Sequence, residues 1–186
     1  MARMSAPARS LIFETHATSL DNEAGLASGW FDIELSATGV SQAAALGERY
    51  RDTALSKVCC SDLRRAQRTG EIAFESRGIP IAIDRRLREC DYGALTRETA
   101  SRVDQVRLDF VTDPFPGGES YEQVAGRVRA WLGEAATVSL EQPVLVIGHR
   151  AIFYALEHLL NGVPLRDVIA APWRWQPGWR YQLPPM

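Results

Sequence analysis

Residues 143–148, PVLVIG, form an almost unbroken apolar run. A run that short and that apolar suits a strand buried on both faces, as in a parallel sheet covered by helices. Its surroundings follow the same logic. Apolar stretches at 9–14, 57–61 and 79–84 alternate with segments whose small or apolar residues recur at helical spacing, over 38–52, 62–78, 121–138 and 151–162. A Ser/Thr-rich start precedes the first of these helices, Glu119 or Ser120 opens the third, and Gly78 and Gly162 stand as stop residues for the other two. A further helix is expected over 97–113, a loop at 115–120, and an edge strand at 179–183. The alternation predicts an α/β fold, a three-layer α/β/α sandwich around a mostly parallel sheet. The 186 residues suffice for one well-filled domain and are short for two, so 1–186 reads as a single domain with a loose tail at 1–8.

Several partners are disfavoured at once. The net charge of -2 gives no global field toward nucleic acid or an acidic membrane. No apolar run approaches the roughly 20 residues of a membrane span. The opening MARMSAPARS lacks a signal-peptide core. Cys59 and Cys60 are adjacent and Cys90 is distant, with no CxxC pair and no disulfide framework, so free thiols and a cytoplasmic location are expected. Three histidines without Cys/His ligand spacing predict no dedicated metal site.

In open sheets of this class, ligands sit beyond the carboxyl ends of the strands. His16 follows the first strand, Ser61-Asp62 the second, and His149 the buried one. Neutral imidazole can attack phosphorus, and a second histidine can support the equatorial oxygens of an in-line transfer. Arg64, Arg65 and Arg68 open a helix, where free N–H groups already favour anions. Arg64 and Arg65 point in different directions and cannot both face one site, while Arg64 and Arg68 suit a solvated face. In RLRECDYG, Glu89 and Asp91 are candidate proton donors, since a carboxyl beside phosphate holds its proton more tightly. His158, inside the last helix, receives no role.

Taken in order, the strand leading into xHxxS, then SDLxRAxxT, LxExxYG, PGGES and a buried strand ending in Gly-His resemble the histidine phosphatase superfamily, the phosphoglycerate mutase-like fold. The resemblance runs from Leu11 to about Leu160 and includes GWFDIELSATGVSQAAALGERY. It implies His16 as the nucleophile that becomes phosphohistidine, Arg65 as a phosphate clamp, Glu89 as the proton donor and His149 as the second histidine of the phosphate pocket. Ser19 and Asn22 match the hydroxyl and amide positions downstream of the first histidine. No metal and no other cofactor is implied. The implied activity is that of a phosphomonoesterase acting on a small phosphorylated metabolite. A phosphate-binding protein without turnover and a phosphomutase are the alternatives, although mutase chains of this family are longer.

One motif departs. The family's first motif is usually Arg-His-Gly, and here it is Thr15-His16-Ala17. Loss of a charge-assisted contact to a reacting oxyanion is worth roughly 10²- to 10³-fold in rate. Arg150 stands where the family carries a small residue after the second histidine, so it either returns the missing charge to the phosphate or points to solvent. A lid is expected over 94–118, carrying Arg97, Arg102, Arg107, Phe110 and Phe115, which either face the substrate or serve as ordinary surface and core. Trp173, Trp175 and Trp179 either pack beneath the C-terminus, cover the sheet edge or form a homodimer contact.

Overall fold

The computed structural model describes residues 10–135 and 142–183 of the chain. The expected tail at 1–8 and positions 136–138 of the expected third helix lie outside the described residues. Five strands form one sheet: β1 (Ser10–Thr15), β2 (Lys57–Cys60), β3 (Ile81–Ile83), β4 (Val144–Gly148) and β5 (Trp179–Gln182), in the order β3-β2-β4-β1-β5. The first four are parallel and β5 runs antiparallel to β1. The apolar run is the middle strand β4, buried at every position. At the edge, β5 alternates, with Trp179 and Tyr181 inward and Arg180 and Gln182 outward.

The strand period of two assigns neighbouring residues to opposite layers. Ile12, Val58, Cys60, Leu145 and Ile147 pack against Leu46 and Tyr50 near the end of α2 (Ala37–Arg49) and against Ala66, Ala73 and Phe74 of α3 (Arg64–Phe74). Leu11, Phe13, Cys59, Val144 and Val146 face the other layer, built mainly from α5 (Tyr121–Ala135) and α6 (Arg150–Asn161). Among the described residues no helix is long and apolar enough to cross a membrane. Cys59, Cys60 and Cys90 are free and buried.

Some expected boundaries move. After Phe74 the second expected helix tightens into a 3-10 turn, and Gly78 closes it at φ 64°. The helix expected over 97–113 starts only at α4 (Ala100–Val106), because Arg97 sits at φ 66°, a left-handed conformation no right-handed helix can include. A 3-10 turn, Arg107–Phe110, follows. Two short helices were not anticipated. A single turn, α1 (Leu20–Glu23), forms because Ser19 and Asn22 make a reciprocal capping box. The other, α7 (Leu165–Ala170), buries Leu165, Val168 and Ile169.

Candidate active site

Register brings the two histidines together. Thr15 pairs with Gly148, so the next residue of each strand, His16 and His149, leaves the sheet at the same level. The His16 N–H donates to the Gly148 carbonyl at 2.9 Å. The two imidazole rings lie 4.9 Å apart between centroids, inclined at 55°.

Among the described residues, each ring has one nitrogen committed and one not. His16 Nδ1 lies 2.7 Å from the Ala17 carbonyl. A carbonyl only accepts, so Nδ1 carries the proton and Nε2 keeps its lone pair. Burial pulls the His16 pKa down to about 3, assisted by the Arg65 charge and opposed by the Ala17 bond. His149 is fully buried, its Nε2 is 2.8 Å from Ser61 Oγ, and its Nδ1 has no partner among the described residues. Its pKa is lowered well below the ordinary value by burial and then by Arg65 and His16.

Arg65 is the second residue of α3 and is 2 % exposed. It donates through Nη1 to the Phe31 carbonyl at 3.0 Å and through Nη2 to the Gly29 carbonyl at 2.7 Å. Gly29 reaches that position at φ 51°, where a Cβ would press on the Tyr92 ring and the Cys90 carbonyl. Five N–H groups belong to a guanidinium, so donors remain for a ligand. Arg64, its neighbour, turns outward to Asp32 and Glu34, and Arg68 pairs with Glu71.

Glu89 is buried at the N-terminus of α6. Its Oε1 accepts from the Cys90 N–H at 2.8 Å and the Ala151 N–H at 3.1 Å, and its Oε2 accepts from the Arg150 N–H at 3.2 Å. His149 makes no side-chain cap of its own, so this distant carboxylate supplies the acceptors that the helix start needs. Burial raises the Glu89 pKa, and the N–H bonds and Arg65 only partly oppose it. The loop bearing Glu89 is fastened by Arg127, which donates to the carbonyls of Arg86, Arg88 and Glu89 and pairs with Glu119 of the PGGES segment. Asp91 instead accepts from the Gly93 N–H in a turn.

His16, Arg65, Glu89, His149, Asn22 and Arg150 line one cavity of about 270 Å³. Ser19 does not; it is fully buried, and its hydroxyl is taken up by the α1 cap. Asn22 spends its carbonyl on that cap, leaving its NH₂ end. Arg150 reaches the cavity wall, but its Nη1 is held by Asp104 at 2.9 Å. Thr15 Oγ1 accepts from Trp175 Nε1 at 3.2 Å. From the expected lid, Ala100, Val103 and Asp104 reach the cavity. Phe115 is fully buried and stacks on Phe110 at 4.1 Å, Arg97 pairs with Asp21, and Arg107 pairs with Asp104. Trp173 and Trp179 pack on Phe153, while Trp175 stays 57 % exposed. A second cavity, about 500 Å³, shares Thr15, His16 and Trp175 on the α2 side but includes none of Arg65, Glu89 and His149. No three His, Cys, Asp or Glu side chains among the described residues are grouped to hold a metal ion.

Sequence reasoning passed over Arg127, Asp104 and the Trp175–Thr15 contact. Arg127 had a signal in the acid of PGGES, which needs a cation. Asp104 had none, being one acid among many on a helix.

The sequence profile of the histidine phosphatase superfamily (branch 1) matches residues 11–175. A Salmonella choleraesuis protein named "Probable phosphoglycerate mutase GpmB" is 31% identical over 144 residues, covering 73% of this chain and 67% of that protein. Among solved structures, a mycobacterial glucosyl-3-phosphoglycerate phosphatase superposes with a TM-score of 0.80 at 28% identity, covering 89% of this chain and 88% of that one. YhfR of Bacillus stearothermophilus gives 0.79 at 26% identity, covering 90% and 87%.

Proposed function

The chain belongs to the histidine phosphatase superfamily, and on that premise we propose that it is a phosphomonoesterase that hydrolyses a small phosphorylated metabolite through phospho-His16. The observation that carries the reading is the His16 ring. Its Nδ1 proton is committed to Ala17, its Nε2 lone pair is free, and its low pKa keeps it neutral at working pH. Arg65, the Asn22 amide and His149 Nδ1 would take the phosphoryl oxygens. His149 serves as a neutral donor if the Ser61 hydroxyl donates its hydrogen bond to Nε2, which leaves the ring's one hydrogen on Nδ1.

Transfer proceeds in two steps. His16 Nε2 forms the N–P bond as the ester P–O bond breaks, and Glu89, whose pKa burial raises, gives a proton to the departing oxygen. Glu89, now a carboxylate, takes a proton from water. The water oxygen bonds to phosphorus, the N–P bond breaks, and inorganic phosphate leaves. With its Nη1 held by Asp104, we read Arg150 as belonging to the alcohol side of the cavity rather than as a replacement for the charge that Thr15 lacks, and a reduced rate goes with that reading. That same absence favours a second reading, a phosphometabolite-binding protein with little turnover. The buried thiols suit a reducing compartment, so a cytoplasmic location goes with either reading.

The test is phosphate release from a panel of phosphomonoesters, with chelator present, for wild type and His16→Ala. Chelator-resistant turnover that disappears in the variant, with an acid-labile phosphoenzyme trapped from wild type alone, supports the hydrolase. Turnover equal in both proteins would refute it.

A further inference from the structure

In an in-line transfer the leaving group lies on the far side of phosphorus from His16, and the proton donor, here read as Glu89, serves its oxygen there. The cavity beyond Glu89 therefore belongs to the alcohol. Val103 and Asp104 of α4, Arg150 of α6 and Trp173 of the C-terminal segment wall it. Among the described residues, two carboxylates line the cavity, Glu89 and Asp104. The oxygens of Glu89 already accept from three backbone N–H groups. Asp104 differs. Both of its arginine contacts, Arg150 Nη1 at 2.9 Å and Arg107 Nη1 at 3.1 Å, fall on Oδ1, and its side chain is 45% exposed. Among the described residues nothing pairs with Oδ2, which is left as an acceptor. Beside it, the Arg150 guanidinium is fixed over the rings of Tyr154 at 5.7 Å and Trp173 at 5.5 Å.

We propose that the Asp104–Arg150 pair and the Trp173 ring form a leaving-group subsite for an alcohol with neighbouring hydroxyls, a sugar or polyol, and that Asp104 determines specificity for it. One hydroxyl donates to Asp104 Oδ2 and its neighbour accepts from Arg150. The C–H face of the ring or chain packs on Trp173. Glu89 and Tyr92 line the same cavity. An aryl alcohol offers no such hydroxyl pair and leaves the acceptor unpaired, which is the condition under which polar sites discriminate strongly. A volume of about 270 Å³ is at the small end for metabolite sites and suits a phosphorylated monosaccharide or shorter polyol. The inference rests on the phosphatase reading of the same cavity.

The experiment measures kcat/KM for ribose 5-phosphate, glucose 6-phosphate, glycerol 3-phosphate and phenyl phosphate with wild type, Asp104→Ala and Asp104→Asn. In parallel, calorimetry gives the affinity of each protein for the same sugar phosphates relative to inorganic phosphate. The ratio of sugar ester to phenyl ester is expected to fall about tenfold in Asp104→Ala, chiefly through KM. Asp104→Asn, which keeps an uncharged acceptor and the side-chain volume, shifts the ratio in the same direction by less, and decides the matter if the alanine variant does not fold. An unchanged ratio overturns the subsite. If wild type shows no His16-dependent turnover of any ester, the phosphatase reading fails. The affinity ratio then decides the subsite alone: loss of preference for sugar phosphate in the variants supports it, and no change overturns it.

Discussion

His16 and His149 stand 4.9 Å apart between ring centroids, and the Arg65 charge lowers the pKa of both. Burial is the larger cause in each case. The unfolded chain protonates these rings near pH 6.5 and the folded chain does not, so the unfolded state binds more protons as the pH falls. Their contribution to stability is complete above about pH 6.5 and is lost progressively toward about pH 3 for His16. The urea midpoint should therefore decline between pH 7 and pH 4, with a shallower slope in His149→Asn. A midpoint constant across that range would contradict the buried, neutral pair.

Glu89 shows the opposite direction, since burial raises its pKa. As the acid in the first step it must be protonated, so kcat/KM should fall on the alkaline side as the carboxyl ionises. Glu89→Gln keeps one acceptor oxygen, enough for the Cys90 and Ala151 N–H groups, loses the acceptor facing the Arg150 N–H, and cannot cycle a proton. Its rate on esters of poor leaving groups should drop by ~10²–10⁴-fold, with the alkaline limb gone and a smaller loss on nitrophenyl phosphate. A pH profile retained in the variant would assign the limb elsewhere.

Thr15 now holds the indole N–H of Trp175 where the family places an arginine. Thr15→Arg should return a charge-assisted donor to the phosphate seat and raise kcat/KM by roughly 10²-fold on a good substrate. Vanadate affinity should tighten in parallel, because the gain arises from contacts with the transferring group. Slower turnover together with unchanged vanadate affinity would show that the added guanidinium cannot enter the cavity.

What could be read from the chain divides along a physical line. The unbroken run of β4, the helical spacing of α2, α3, α5 and α6, and the stops at Gly78 and Gly162 are local patterns, and their elements stand within a few residues of the expected places. His16, Arg65, Glu89, His149, Asn22 and Arg150 do reach one cavity, because strand ends and helix starts are themselves local signals. Ser19 does not reach it, since a nearby backbone donor captured its hydroxyl before any ligand could. Arg127 escaped notice for the reverse reason. Its carbonyl partners lie some forty residues away, and only the packing of α5 beside the Glu89 loop brings them within reach. The Arg97 turn was equally invisible, as few non-glycine residues adopt φ 66° without a tertiary tether, here its contact with Asp21.

Gly148 connects the register to the site. A Cβ there would lie 2.8 Å from Phe13 Cε2 and 3.4 Å from Ile152. The Phe13 ring cannot easily give way, because it packs against Trp179 at 5.6 Å and Phe153 at 6.3 Å and is fully buried. Gly148→Ala should therefore destabilise the protein by about 1–3 kcal/mol through overpacking. The strain falls between the carbonyl that receives the His16 N–H and the backbone of His149, so activity should fall by more than the lost stability explains. Thermal unfolding and kcat/KM, measured well below the transition of the variant, separate the two effects. A variant of wild-type activity and stability would mean that β1 and β4 can shift without disturbing the histidine pair, and the register would then lose its place as the cause of the site.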